Sequence, residues 1–261
     1  MNIVVCVKYV PDAQGDRTFE PDNTTDRDGV DGLLSELDEY AVEEALKIVE
    51  AGEGEVTLLT MGPDDAATAL KKGLQMGAHK GVHVLDDAIA GSDSVATSLV
   101  LAQAVRKIGD VDLVLTGLAS TDGVMSVVPA MLAERLELPQ VTFASELTVD
   151  ADGRTVVIRR DNEAYSETVE ATLPAVVSVT DQINEPRYPS FKGIMAAKKK
   201  PVETWDLAEL GVDPAQVGLA AAWTTVTQAE ARPPRAAGEV VTDEGEGGAA
   251  LAQFLADRRL A

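Results

Sequence analysis

The loop from Gly117 to Ser126 contains the residue types best suited to holding a ligand. It follows a buried apolar run and precedes a predicted helix, and free N–H groups at a helix N-terminus favour an anion such as phosphate. Its hydroxyls could donate hydrogen bonds, and its carboxylate could accept one from a ribose or an amine. The candidate binding positions are Ser120, Thr121, Asp122, Gly123 and Ser126. The alternative is an ordinary polar loop with a cap residue.

Other chemistry finds little support in the sequence. His79 and His83 have the spacing of a helical metal pair, but His83 lies in a Val-His-Val run after Gly81, so the two are not expected to share a face. Cys6 lies in an apolar run with no histidine nearby, which favours a core cysteine. The sequence contains neither Gly-x-Gly-x-x-Gly nor Gly-x-x-x-x-Gly-Lys-Ser/Thr, the two glycine-rich motifs that bind nucleotide phosphates. The chain therefore does not resemble a self-sufficient catalyst, and we expect no metal site.

Composition narrows the class of partner. The 261 residues include 22 basic and 44 acidic side chains, a formal charge of −22, which argues against binding to nucleic acid or to an anionic membrane surface. A single cysteine fits a reducing compartment. The N-terminus shows no secretory signal, and no apolar run in the sequence reaches membrane-spanning length, so we expect a cytoplasmic protein without membrane insertion.

The elements that would position these residues alternate regularly up to residue 138, which predicts a parallel sheet with flanking helices, an α/β, Rossmann-like fold. The predicted strands are Asn2–Tyr9, Val56–Met61, Val82–Leu85 and Val111–Thr116. The predicted helices begin near Ser35, Asp64, Ser92 and Ser126. Because ligands bind at the carboxyl ends of such strands, the loops after Tyr9, Met61 and Thr116 are the candidate pocket.

The pattern then changes to an antiparallel addition. Val141–Val149, Thr155–Arg160 and Ser166–Thr172 are predicted strands, and the first turn between them contains Asp-Gly, a strong hairpin signal. The run Ala175–Val179, next along the chain, is apolar at every position but Ser178 and predicts a buried strand.

The segment from Asn184 to Lys200, called here the 184–200 segment, is basic in an acidic chain. Pro186 and Pro189 predict a stiff, extended start. A short helix from Ser190 should come next and end in three lysines before a proline. Candidate partner-binding side chains are Arg187, Tyr188, Phe191, Ile194 and Met195. The segment is either a docking surface or an ordinary loop with a charged helix end.

Beyond Pro201 the sequence has little regular period, and a short apolar helix closes the chain. We therefore predict a domain of residues 1–200 and a C-terminal arm of residues 201–261. The arm is either partly disordered or ordered on a partner. Trp205, Trp223 and Phe254 favour the second alternative, because large apolar side chains gain most when a partner buries them.

Motifs spread over most of the chain point to one family. They are Val5–Val10, Ala41–Ala45, Pro139–Ser145, Val157–Arg159, Glu167–Glu170, Leu173–Val177, Asn184–Tyr188 and Ile194–Lys200. Together they resemble the β subunits of electron-transfer flavoproteins, and the spacing from 157 to 200 is long and specific. The last 60 residues match more by length and character than by motif.

The resemblance implies a heterodimer that carries electrons and lacks catalytic residues of its own. A larger α subunit would hold most of an FAD, and the β subunit would add a wall of the flavin site and bind AMP. Electrons would come from acyl-CoA and related dehydrogenases, as in fatty acid oxidation, and pass through a quinone oxidoreductase towards the quinone pool. The 184–200 segment would be the recognition loop, with Phe191 as its apolar anchor, and the arm would embrace the α subunit.

The resemblance also implies site residues. Lining the AMP pocket would be Cys6, Ser35, Met61, Asp122 and Ser126, and approaching the flavin would be Asp12 and Leu37. Val127 and Val128 stand where the family often has polar side chains, so only backbone groups could hold a phosphate there. Two alternatives stay open: the β subunit of an electron-bifurcating complex with a second FAD in place of AMP, and a stand-alone nucleotide-binding protein of the stress-protein type.

Overall fold

Seven parallel strands form the large sheet of this computed structural model, which describes residues 1–230, 232–238 and 240–260. In spatial order they are β12 (Val202–Trp205), β5 (Lys80–Val84), β4 (Glu55–Met61), β1 (Asn2–Cys6), β6 (Leu113–Gly117), β11 (Ala175–Val179) and β7 (Gln140–Ala144). All the pairings between neighbours are parallel. The predicted α/β class is confirmed, and β11 has the predicted bounds.

Two helices cover each face of the sheet. They are α1 (Glu36–Ala51) and α2 (Ala67–Met76) on one face, and α3 (Ser94–Ile108) and α4 (Val128–Leu136) on the other. Ile3 and Val5 of β1 pack towards the first pair and Val4 towards the second, because successive strand side chains point to opposite faces. The predicted apolar stripe of α1, from Ala41 to Val49, is buried.

Two predicted helix starts are wrong in detail. The cap of α3 is Asp93, whose carboxylate accepts hydrogen bonds from the N–H groups of Val95 and Ala96 at 3.0 Å. Ser92 instead accepts a hydrogen bond from the N–H of Gly218. Asp64 does not cap α2 but opens a 3₁₀ turn that precedes it.

Antiparallel strands are added in two places. Strands β2 (Tyr9–Pro11) and β3 (Gly32–Leu34) enclose the acidic loop near the N-terminus. A separate three-stranded sheet contains β8 (Glu146–Asp150), β9 (Thr155–Asp161) and β10 (Ser166–Thr172).

The single predicted strand Val141–Val149 is therefore two strands, β7 in the large sheet and β8 in the small one. The chain changes sheets at Ser145, whose N–H donates to the carbonyl of Arg159 on β9. Just before this point, Phe143 has a positive φ of 63°, and the register between β7 and β11 shifts there before Ala144 pairs with Val179.

The compact unit extends from Met1 to Thr227, beyond the predicted boundary at residue 200. Trp205, which the sequence analysis assigned to the arm, ends the edge strand β12 and is only 7% exposed within this chain. The short helices α5 (Phe191–Ala197), α6 (Leu207–Leu210) and α7 (Gly218–Ala221) belong to the same unit. Trp223, by contrast, is 85% exposed.

A second unit begins at Gln228 and contains helix α8 (Gly247–Asp257). Its apolar side chains include Leu251 and Phe254, which are exposed, as are Val240 and Val241 in the segment before the helix. The unit buries no apolar core of its own among its described residues. Nowhere in the part of the chain that the structure describes is a helix long and apolar enough to cross a bilayer.

Candidate functional site

The order of the large sheet reverses at β1, which lies between β4 and β6. The chain builds the sheet first from β1 through β4 to β5, and then returns to the other side of β1 with β6. In open α/β sheets, ligands bind at the carboxyl ends of the strands that flank such a reversal. The loops after Cys6 and Gly117 therefore form the candidate site. The sequence predicted loops after Tyr9, Met61 and Thr116; the first of these begins earlier, because β1 ends at Cys6 and Tyr9 belongs to β2.

Asp38, which the sequence analysis did not single out, joins three elements at this position. It lies in the first turn of α1, and its carboxylate accepts a hydrogen bond of 2.8 Å from the N–H of Lys8, just beyond β1. At the end of β6, a Cβ added to Gly117 would lie 2.7 Å from the Asp38 carboxylate and 2.6 Å from the carbonyl oxygen of Leu37. The helix thus approaches the strand so closely that only glycine fits there.

Burial raises the pKa of Asp38 to about 7, a shift that the N–H of Lys8 and the charge of the Lys8 side chain partly offset. The neighbouring thiol responds in the same direction: burial, with a smaller contribution from the charge of Asp38, raises the pKa of Cys6 to about 12. Cys6 is therefore a protonated thiol at neutral pH and not a nucleophile, and its half-buried side chain packs against the core on the α3–α4 face.

Replacing Asp38 by asparagine should make the chain more stable at pH 8 and remove a pH dependence between about pH 4 and 7. The folded state binds the carboxyl proton more tightly than the unfolded state does, so the unmodified chain loses stability as the pH rises from about 4 to 7. The rise in the pKa of Asp38 from 3.8 to about 7 corresponds to a loss of about 4 kcal/mol in the free energy of unfolding above pH 7.

Urea unfolding at pH 5 and pH 8 measures this effect, with Asp150→Asn at the exposed end of β8 as the control. If Asp38→Asn is less stable than the unmodified chain at pH 8, the fold requires the ionised carboxylate and the expectation is wrong.

Asp122 is the second organising carboxylate, and its side chain is only 4% exposed. Lys8 Nζ and Arg27 Nη2 each lie 2.9 Å from one of its oxygens, and the N–H of Gly123 donates to it at 2.7 Å. Burial alone would raise the pKa of Asp122, but the charge of Lys8, with further hydrogen bonds and the charge of Arg27, outweighs burial and holds that pKa well below its usual range. Asp122 is therefore a permanent anion that draws two cations to the loop.

A third cation reaches the same loop from the acidic N-terminal region. Arg17 donates to the carbonyl of Thr121 at 2.8 Å and, through Nε, to the carbonyl of Asp12 at 3.3 Å. The carboxylate of Asp12 accepts from the N–H of Gln14, a local turn contact. Lys8, Arg17 and Arg27 were missed by sequence reasoning. Arg17 and Arg27 are isolated cations within a strongly acidic loop, a signal that could have been used.

The loop between Ser120 and Val128 has an unusual backbone. Val124 and Ser126 have positive φ angles of 52° and 56°, a costly conformation, above all for a β-branched residue. Left-handed residues turn successive N–H groups towards one side, which is how anion-binding turns form. The hydroxyl of Ser120 accepts from the N–H of Gly123 at 3.2 Å, so it is committed to the loop itself.

The other predicted pocket residues lie close to this edge of the sheet. Cys6 and Met61 end the adjacent strands β1 and β4, and Leu37 is half-buried at the start of α1. Ser35 is fully buried in the N-cap position of α1, but its hydroxyl makes no capping bond and has no hydrogen-bond partner among the described residues. A buried hydroxyl without a partner is costly, and among the described residues Thr60 Oγ1 and Asn184 Oδ1 share this property with Ser35.

The two histidines have separate structural roles. His79 Nδ1 accepts a hydrogen bond from the N–H of Val56, and His83 is buried with its Nε2 3.0 Å from the carbonyl oxygen of Gly62. No cluster of three or more potential metal-ligating side chains occurs within the described residues.

The 184–200 segment presents a second surface. After an irregular start, Ser190 caps helix α5 by accepting from the N–H of Gly193 at 3.1 Å. Tyr188 and Phe191 are 92% and 81% exposed, and Ile194 and Met195 are also exposed. Lys192, Lys198 and Lys199 are exposed around them. Arg187 does not join this surface, because its guanidinium turns back onto α1.

Comparison with known proteins matches residues 22–210 to the electron transfer flavoprotein domain. Electron transfer flavoprotein subunit beta of Mycobacterium tuberculosis strain H37Rv is 48% identical over 99% of both chains. The subunit of the same name from Mycobacterium leprae is 47% identical, again over 99% of both chains. Caffeyl-CoA reductase-Etf complex subunit CarD of Acetobacterium woodii is 36% identical over 93% of this chain and 92% of its own.

Proposed function

Because this chain belongs to the electron transfer flavoprotein family, as a β subunit, we propose that it carries electrons from acyl-CoA and related dehydrogenases towards the quinone pool. As an electron-transfer subunit it is not a free-standing enzyme, and its family implies an α subunit as partner. The electrons would pass through FAD held mainly by that α subunit, and a quinone oxidoreductase would receive them. A bound flavin supplies the redox chemistry, while the protein positions it and admits the partners.

The observation that carries this proposal is the exposed apolar cluster of the 184–200 segment. Monomeric surfaces rarely display several large apolar side chains together unless a partner covers them. Here Tyr188, Phe191, Ile194 and Met195 lie within eight residues, surrounded by lysines in a chain of net charge −22. This combination suits a dehydrogenase surface with an apolar recess and an acidic rim.

The loops after Cys6 and Gly117, called here the switch-point loops, have two features that suit a nucleotide. Ser35 offers a buried hydroxyl without a protein partner, and the left-handed turn at Val124 and Ser126 suits an anion held by backbone N–H groups. These features support AMP binding by Cys6, Ser35, Met61, Asp122 and Ser126, despite the apolar side chains of Val127 and Val128. On the same edge of the sheet, Asp12 and Leu37 would approach the flavin.

Counting the cofactors of the purified heterodimer tests the proposal. The chain is co-expressed with its α subunit, the complex is denatured, and released FAD and adenine nucleotides are quantified. We expect one FAD and one AMP per heterodimer. One FAD without AMP would contradict nucleotide binding at the switch-point loops but would leave the carrier function in place.

A second candidate function is that of a β subunit in an electron-bifurcating complex, with a second FAD in place of AMP. The relative from Acetobacterium woodii favours it, because its name assigns it to a reductase complex. Two FAD and no AMP in the same assay would decide for this alternative. The stand-alone stress-type protein is no longer a candidate, since the similarity to electron-transfer subunits covers 99% of the chain.

A further inference from the structure

The 184–200 segment is attached to α1 at its first residues. Asn184 Nδ2 donates to the carbonyl of Tyr40 and to the carboxylate of Glu44, both at 3.0 Å. Glu44 is 4% exposed, so this contact is protected from solvent. The segment therefore leaves β11 and meets α1 before it reaches its exposed apolar side chains.

Arg187 makes the principal attachment. Its Nε and Nη2 lie 2.7 and 3.0 Å from the two oxygens of Glu43, and its Nη1 and Nη2 lie 2.5 and 2.9 Å from those of Glu50. Its backbone N–H also donates to Glu43 at 3.1 Å. Glu43 and Glu50 are seven residues apart, two turns of α1, so both carboxylates face the segment from one side of the helix.

This geometry requires arginine. Three different guanidinium nitrogens contact four carboxylate oxygens, an arrangement that an ammonium group cannot reproduce. The Glu43 side chain is 8% exposed and that of Arg187 is 33% exposed, so the pair is partly shielded from water. The hydrogen bonds that Arg187 donates to Glu50 and Glu43 raise the pKa of its guanidinium still further, so it is always charged.

The other end of the segment is attached to α2. Lys200 Nζ donates to the carbonyl of Leu74 at 2.9 Å. Gly193 in α5 packs so closely that an added Cβ would lie 2.4 Å from the carbonyl oxygen of Gln75. The exposed residues between these attachments are therefore held on two helices of the core rather than on a free loop.

We propose that Arg187 is a positioning residue, which fixes the 184–200 segment on α1 through Glu43 and Glu50 and so orients Tyr188 and Phe191 for a partner dehydrogenase. This inference rests on the proposed function. It assigns Arg187 to contacts within its own chain, whereas the sequence analysis expected it to bind the partner. A segment fixed in advance loses less conformational entropy on docking, and the affinity for the partner rises accordingly.

Steady-state transfer from a purified acyl-CoA dehydrogenase, reduced by its acyl-CoA substrate, to the intact heterodimer tests the inference. Arg187→Met should raise the KM for the heterodimer about 10-fold and leave kcat and FAD content nearly unchanged. Hydrogen exchange of the amides of residues 190–197 should become faster. Arg187→Lys should restore part of the KM, because one charge–charge contact is kept.

The control is Arg160→Met on the small antiparallel sheet. Arg160 also pairs with a carboxylate, Glu167 at 2.6 Å, and its side chain is 34% exposed, close to that of Arg187. The variant removes the same charge and the same kind of ion pair without touching α1. We expect a KM within about 2-fold of the unmodified complex and unchanged exchange in residues 190–197.

Glu50→Gln keeps the test valid if Arg187→Met does not fold, because the Glu50 side chain is 55% exposed. Positioning predicts a raised KM for this variant too. If Arg187 instead bound the dehydrogenase directly, loss of a competing carboxylate would lower the KM or leave it unchanged, and the inference would fall. If Arg187→Met leaves the KM unchanged while Phe191→Ala lowers kcat/KM, the positioning role of Arg187 is wrong and docking by the segment stands. If neither variant changes electron transfer, docking by this segment is wrong as well.

Discussion

A chain that ends at Thr227 should fold but should no longer form a stable complex with the α subunit. The unit from Met1 to Thr227 contains both core clusters of the described residues, so its stability does not depend on the second unit. That second unit exposes Val240, Leu251 and Phe254, and a partner surface would stabilise the complex by burying such side chains. We expect at least about 100-fold weaker association, or about 2.7 kcal/mol.

Co-purification of tagged α subunit with each form of the chain measures this loss, and a thermal unfolding curve of the shortened chain confirms that it folds. The position of the cut matters. Deleting residues 211–261, all within the predicted arm, would remove the buried side chains of Val212 and Val217 from the core. The shortened chain would then misfold, and co-purification would fall even if the deleted residues did not contact the α subunit. In the full chain, Leu251→Asp with Phe254→Asp should reproduce the loss. Undiminished co-purification after the cut at Thr227 would show that the residues beyond it are not needed to bind the α subunit.

Phe191→Ala should reduce kcat/KM for electron transfer from an acyl-CoA dehydrogenase by about 30-fold, or about 2 kcal/mol, as expected for an aromatic anchor. Because Phe191 is 81% exposed and belongs to neither core cluster, the variant should keep its stability and its FAD content. The effect should appear mainly in the KM, since the cofactor site is unchanged.

Phe191→Leu is the matched control, because it keeps an apolar side chain of similar reach and should lose less than about 5-fold. Loss of FAD in Phe191→Ala would indicate a structural role instead. Equal losses in the alanine and leucine variants would mean that the partner reads the aromatic ring itself rather than apolar area.

The buried parallel strands were the most predictable part of the fold. Ala175–Val179 is apolar at nearly every position because both faces are covered, and the structure bounds the strand at the same residues. The edge strand Val202–Trp205 was missed because its first three side chains are exposed and it has no apolar run. The split at Ser145 was missed because it accompanies a left-handed backbone at Phe143, and phenylalanine is not a residue type that predicts this conformation.

The candidate site was predictable only in part, for a reason of distance along the chain. Periodicity and capping act within a few residues, and they located the loop around Asp122 and the start of α1. The ion pair of Lys8 with Asp122 joins residues 114 positions apart, and that of Arg187 with Glu43 joins residues 144 apart. Such pairings depend on the order of the strands in the sheet, which local patterns do not contain.

Helix α1 contacts the switch-point loops at its start and the 184–200 segment further along. Its first turn carries Asp38 at the switch-point loops, and Glu50 lies twelve residues further, about 18 Å along the axis. On the proposed function, a substitution at Tyr188 or Phe191 would alter which dehydrogenase is accepted without disturbing the core, because both side chains are exposed. A change at Glu43 would shift the geometry for every donor at once. On the proposed function, new donor enzymes would be recruited through Tyr188 and Phe191 alone, while α1 would keep their distance from the cofactor constant.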